Sequence, residues 1–147
     1  MNTSITTILA GKSRALHAVP TSVTVLEAVQ KMNQHKVGAV LVMNGGKLAG
    51  IFTERDVMTR VIAANCDPKT TPIAQVMSAD VLTIPPATTV QQVMDIFADK
   101  RCRHLPVMQG DELVGLISIG DVSRWVANAH RAEAESLRQY IAGELST

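Results

Sequence analysis

After Thr24 the apolar residues Val25, Ala28, Val29 and Met32 recur at intervals of three and four, and Glu27 stands three positions beyond the hydroxyl, the spacing of a capping box. This pattern predicts a helix to about Gln34. The run Gly38-Ala39-Val40-Leu41-Val42-Met43, the turn signal Asn44-Gly45-Gly46 and a second apolar run over 48–52 predict a two-stranded hairpin. Thr53-Glu54-Arg55-Asp56 then opens another helical stretch, with Val57, Met58, Val61 and Ile62 as its apolar stripe, to Asn65. A short extended lead at 18–20 precedes the set.

The same order returns: helix 89–100, strand 105–108, turn Gln109-Gly110-Asp111, strand 113–117, and a helix from Ser118 onward, with an extended lead at 82–85. Segment 19–57 overlies segment 84–122 without a gap, every position matching one 65 residues on (Val19 against Ile84). Pro20/Pro85, Thr24/Thr89, Val42/Val107, Gly50/Gly115 and Asp56/Asp121 are identical pairs. A duplicated unit of this size hides its apolar face against its copy, which makes the seam between the halves the expected functional surface.

The halves divide the chain into a first repeat (8–64), a packed connector (65–79), a second repeat (80–128) and a C-terminal helical extension (129–147). Thr71-Pro72 reads as the N-cap and first residue of a short connector helix through Met77. Trp125, Val126 and Ala129 continue the last helix, good helix formers prolong it over 132–142, and Gly143 reads as its stop. The stripes through Trp125 and through Val57–Ile62 are wide enough to predict a homodimer through these closing helices.

The chain has 147 residues, 18% of them charged, with a net charge of +1, which excludes the broad basic footprint of a nucleic-acid or acidic-membrane binder. Cys66 and Cys102 suit free thiols in a reducing cytoplasm better than a disulfide scaffold, and His17, His35 and His130 have no ligand spacing, so no metal is expected. No leader and no long apolar segment is evident, and the expectation is a cytoplasmic protein. There is no nucleophile–base pair, no Walker loop and no GxGxxG, so an enzyme is not expected.

Candidate chemistry lies where the hairpins end, in Gly50-Ile51-Phe52-Thr53-Glu54-Arg55-Asp56 and Gly115-Leu116-Ile117-Ser118-Ile119-Gly120-Asp121. Hydroxyl and carboxylate three residues apart at a helix start serve equally as a structural cap and as a nucleotide grip. In the second role free N–H groups meet phosphate and the acid accepts a ribose diol. Recurrence of the pair at equivalent places beside the seam favours the grip.

The duplicated order, the two hairpin endings and the strand Arg103-His104-Leu105-Pro106-Val107 resemble a tandem pair of the cystathionine-β-synthase (CBS) domain family over roughly residues 8–128. The resemblance implies an α+β fold of two β-α-β-β-α repeats about a pseudo-twofold axis, with adenosine-nucleotide clefts between them. It implies that Asp56 or Asp121 holds the ribose, that Thr53 or Ser118 lies near ribose or phosphate, and that Leu105 and Pro106 line the adenine pocket. Residues leading into the first strand, near Thr21 or between Thr83 and Pro85, would close it. Arg103-His104-Leu105-Pro106 is matched in the first copy by Gly38-Ala39-Val40-Leu41, without a basic group, so the cluster Lys100, Arg101, Arg103 and His104 is expected to supply phosphate contacts only in the second half and the stronger site is expected at Ser118/Asp121; Arg55 is a candidate to reach phosphate across the seam. The ligand expected is AMP, ADP or ATP, sensed on behalf of an unidentified protein partner. NAD(H) in a redox sensor and a ligand-free dimerisation adaptor are the alternatives.

Overall fold

The computed structural model describes residues 2–12 and 16–145. In the first repeat β1 (Ala18–Pro20) runs parallel to β2 (Ala39–Asn44), which pairs antiparallel with β3 (Lys47–Thr53). In the second, β4 (His104–Gln109) and β5 (Glu112–Ser118) form the hairpin, and Ile84 bridges Val107 in parallel just as Val19 pairs with Val42. Even the ladder irregularities coincide, falling between Val42 and Met43 and between Val107 and Met108. The duplication seen in sequence is therefore a duplication in space.

The helices α2 (Val25–His35) and α5 (Val90–Lys100) start where the caps predict: Thr24 accepts from the Glu27 N–H at 3.2 Å and Thr89 from the Gln92 N–H at 3.2 Å. Each buries one stripe on its own hairpin, Val25, Ala28 and Met32 in the first core and Val90, Val93 and Phe97 in the second. A third cluster, Ala39, Leu41 and Ile51 against Val81, Leu113 and Leu116, forms the apolar seam between repeats.

Two short helices cross that seam. α1 (Thr6–Ala10) lies ahead of β1 in the chain yet buries Ile8, with the adjoining Ile5, in the second core, whereas α4 (Ile73–Val76) lies ahead of α5 and β4 and buries Ile73 and Val76 in the first. The backbone ties are reciprocal. The Ile5 N–H donates to Thr88 O (2.9 Å) and the Val90 N–H to Thr3 O (2.8 Å), matched by Ile73 N–H to Val23 O (2.8 Å) and Val25 N–H to Thr71 O (3.0 Å). A reciprocal exchange of leads is what a twofold relation between the halves produces. Gly50 lies at the crossing, where a Cβ would stand 2.7 Å from Ser78 O and 2.8 Å from Met77 Sδ.

After β3 the chain forms a single α turn, α3 (Glu54–Asp56), and then widens into a π-helical stretch, Val57–Ile62. The regular helix read from the apolar spacing is thus not what forms. The wider turn keeps Val61 in the core and leaves Met58 and Ile62 at 62% and 67% exposure, so the stripe is split between core and surface. The last helix, α6 (Ile119–Leu145), runs through Gly143, which does not take the left-handed conformation that would stop it. Beyond the repeats it leaves Leu137, Tyr140 and Ile141 exposed.

Candidate functional site

Helix ends converge on the seam and leave two clefts, of about 660 and about 980 Å³. The smaller takes Thr53, Arg55 and Asp56 from the first repeat and Lys100, Arg101 and Arg103 from the second. The larger takes Ser118, Asp121 and Arg124 from the second repeat, faced by His17, His35 and Lys36 of the first, with Lys12 at the end of α1. Each cleft is therefore assembled across the seam. Both volumes lie in the range of small-ligand sites.

The acid of each cleft sits in a helix cap. The Thr53 N–H donates to Asp56 Oδ2 at 3.0 Å and the Asp56 N–H to Thr53 Oγ1 at 3.3 Å; in the other copy the Ser118 N–H donates to Asp121 Oδ2 at 2.9 Å and the Asp121 N–H to Ser118 Oγ at 3.1 Å. Capping leaves acceptor capacity over, because a carboxylate has about four acceptor positions and the cap residue fills two at Asp56, where the Thr53 hydroxyl also donates to Oδ2 at 3.2 Å, and one at Asp121.

Beyond the cap the two acids differ. Asp121 is held by two cations, Lys12 Nζ on Oδ2 and Arg124 Nη2 on Oδ1, both at 2.6 Å. Asp56 takes the Ser78 hydroxyl on Oδ1 at 3.2 Å and the exposed Arg60 Nε at 3.4 Å. Both oxygens of Asp121 thus carry a cation, whereas at Asp56 the partners beyond the backbone cap are the Thr53 and Ser78 hydroxyls, each at 3.2 Å, and the Arg60 guanidinium. Asp56 is the acid less blocked by cations; the sequence comparison places the stronger site at Asp121 because Lys12 lies outside the gapless segments 19–57 and 84–122 on which it rests.

Burial opposes the ionisation of Asp121, but the Lys12 hydrogen bond, the Ser118 N–H and the Lys12 charge outweigh it, so its carboxyl lies below its ordinary value of 3.8. The stability this supplies is fully present above that ordinary value and is lost as pH falls through the lower folded one. Asp121→Asn should therefore destabilise the protein at pH 7, and the gap from wild type should narrow as urea melts are taken progressively below about pH 4. A gap that stays constant down to pH 2 contradicts the ion-pair account.

His104 lines both clefts, and its imidazole is pushed below its ordinary value chiefly by burial and then by Lys12, against the opposing pull of Asp121 and Glu54; it is neutral at pH 7. His17, stacked on His35 with centroids 4.2 Å apart, is lowered by burial, then by His35 and the nearby lysines. Among the described residues no group of three or more His, Cys, Asp or Glu side chains is gathered for a metal, and no helix is long and apolar enough to cross a membrane.

The basic cluster falls in a different place from the one expected. The Arg103 carbonyl accepts from the Ile119 N–H at 2.9 Å, which keeps its backbone in its own repeat, but its side chain lines the Thr53/Asp56 cleft together with Lys100 and Arg101. Leu105 and Pro106 are buried within β4 and line neither cleft, nor do Thr83, Pro85 and Thr21; the adjacent Pro86 lines the larger one.

Lys36 escaped the sequence reading. It stands 65 residues before Arg101, and both end their helices in the left-handed conformation, at φ 55° and 53°. Glycine is the usual residue at such a helix end, because a Cβ there costs about 1–2 kcal/mol. Both copies keep a cation instead, and each cation lines the cleft whose acid belongs to the other repeat.

The architecture is thus a two-repeat α+β module with exchanged lead helices and a pair of cross-seam clefts. The model of the CBS domain matches it twice, at residues 12–63 and 73–128. The chain belongs to the CBS-domain family. It is 40% identical over 125 residues to the mitochondrial CBS domain-containing protein CBSX3 of Arabidopsis thaliana, covering 82% of this chain and 61% of that one, so it spans about three fifths of that relative. YhcV of Bacillus subtilis is 34% identical over 100 residues, covering 68% of this chain and 71% of its own. Among solved structures, the CBS-domain protein ATU1752 of Agrobacterium tumefaciens superposes with a TM-score of 0.78 at 34% identity, over 83% of this chain and 98% of that one.

Proposed function

We propose that this protein is a non-catalytic regulatory module that binds an adenine nucleotide, AMP, ADP or ATP, in the cross-seam clefts, with the Thr53/Asp56 cleft as the stronger site. The observation that carries the reading is the pair of cations at left-handed helix ends. A residue held in a glycine-favoured conformation at two equivalent places, each opposite a hydroxyl–carboxylate cap, is strain retained where an anion is met. In the smaller cleft Asp56 accepts the ribose diol and Arg101, Arg103 and Arg55 take the phosphates.

Catalysis has no support in this geometry. Asp56 and Asp121 lie in separate clefts, and Asp121 is held ionised by Lys12, so the two do not form an acid–base pair at neutral pH. Occupancy closes the seam and so alters the outer helices. There Ile62 on the π-helical stretch and Leu137, Tyr140 and Ile141 on α6 are exposed apolar side chains for a second copy or a regulated partner to cover. Calorimetric titration of ligand-free protein with AMP and ATP tests the reading. Saturable heat that falls in Asp56→Ala more than in Asp121→Ala is expected, and absence of heat with every adenine nucleotide overturns it.

A further inference from the structure

Helix α6 changes character along its length. Trp125 and Val126 pack against the second core, but from His130 to Gly143 every residue is exposed, Leu137, Tyr140 and Ile141 among them. The family match ends at residue 128, so this projecting stretch lies outside the two repeats. Helices in proteins draw most of their stability from burying one apolar face, and among the described residues nothing in the chain covers this one.

The sequence of the stretch is complementary to itself. Ala127, Ala134 and Ile141 recur every seven residues, and His130 and Leu137 each follow three places after an alanine of that series. These are positions a and d of a helix–helix seam, and Ile at a with Leu at d is the combination that favours two parallel strands. The charges beside the seam agree. Glu133 falls at g and Arg138 at e, five residues apart, where a parallel partner brings the g side chain of one helix against the e side chain of the other. Within one helix the same two positions point about 140° apart, too far round to pair.

An antiparallel partner would instead set e against e, Arg131 against Arg138, with like charges both times. A lipid surface is a poor occupant as well, because residues 130–143 carry two arginines and two glutamates and lack the basic excess that such a surface attracts.

We infer that the projecting part of α6 is a self-pairing element. Residues 130–143 of one copy pack parallel and in register on the same residues of a second copy, Leu137 on Leu137 and Ile141 on Ile141, with Glu133 of each chain against Arg138 of the other. The pairing needs no ligand and is independent of the nucleotide reading. It has a consequence for that reading, since α6 begins at the Ser118/Asp121 cap and a parallel pair therefore joins the larger clefts of two copies through one continuous helix from each.

The test is sedimentation velocity of the full chain, free of nucleotide, at micromolar concentration. Wild type is expected to be a dimer. Leu137→Asp should weaken it about a hundredfold or more, because apolar burial is lost in both copies and two carboxylates enter the seam. Glu133→Arg and Arg138→Glu should each weaken self-association about tenfold, and an equimolar mixture of those two variants should restore the dimer, since both cross-helix pairs are then attractive. All three substitutions fall at exposed positions, and circular dichroism checks that the repeats remain folded. A wild-type monomer overturns the inference and leaves the stripe to another protein. A dimer indifferent to Leu137→Asp places the interface elsewhere and overturns it too, and a dimer tightened by Arg138→Glu alone makes the pair antiparallel and overturns the parallel register.

Discussion

Ile5→Ala is expected to lower the unfolding free energy by about 2–5 kcal/mol, and to loosen the repeat that lies farther along the chain, not the one that follows it directly. Ile5 is fully buried in the second core with Val90, Val93 and Phe97, and its N–H closes a 2.9 Å bond to Thr88. Truncation leaves a cavity that a hairpin held by ladder bonds and an 11-residue helix cannot readily collapse to fill. Ile73→Ala is the mirror experiment, since Ile73 is equally buried in the first core. Urea melts give the magnitude, and amide exchange gives the location: faster exchange in β4 and β5 for Ile5→Ala, and in β2 and β3 for Ile73→Ala. If each substitution loosens the repeat next to it in sequence, the exchange of lead helices is wrong.

The second large effect is on binding. Arg101→Ala with Arg103→Ala should weaken AMP at the Thr53/Asp56 cleft by about a hundredfold or more, because each charge-assisted hydrogen bond contributes about 1.5–3 kcal/mol and both cations face that cleft. Arg101→Gly alone separates charge from conformation. It removes the cation while relieving a left-handed Cβ, so thermal stability should hold or rise as nucleotide affinity falls. Loss of stability together with affinity in that variant would make Arg101 a structural residue only.

Local chemistry made much of the fold legible. The caps at Thr24, Thr89, Thr53 and Ser118 depend on residues three apart, and the turns at Gly45, Gly46 and Gly110 need a positive φ that glycine supplies, so each could be read without knowing what packs where. The repeat relation likewise needed only a constant offset. What the offset does not carry is which copy a surface meets. It equated Arg101 with Lys36 and Asp121 with Asp56, yet assembling the clefts required knowing that acid and cation come from opposite repeats.

The exchange of leads had a fainter signal. Ile5, Ile8 and Leu9 match Ile73, Val76 and Met77 in spacing, but at a separation of 68 (Ile73 against Ile5), outside the gapless 65-residue register. Lys12, which ends that lead and neutralises Asp121, was invisible for the same reason. The π-helical turn at Val57–Ile62 was hidden differently, since apolar spacing of three and four fits an α-helix and a widened turn about equally well over six residues.

The central claim, that each nucleotide is gripped by an acid from one repeat and a cation from the other, is tested most directly by counting AMP sites in paired variants. Asp56→Ala with Arg101→Ala disables a single cleft twice and should leave one AMP per chain by calorimetry, whereas Asp121→Ala with Arg101→Ala should leave none. One AMP bound by the Asp121→Ala/Arg101→Ala protein and none by the Asp56→Ala/Arg101→Ala protein would place acid and cation in the same repeat and contradict the account.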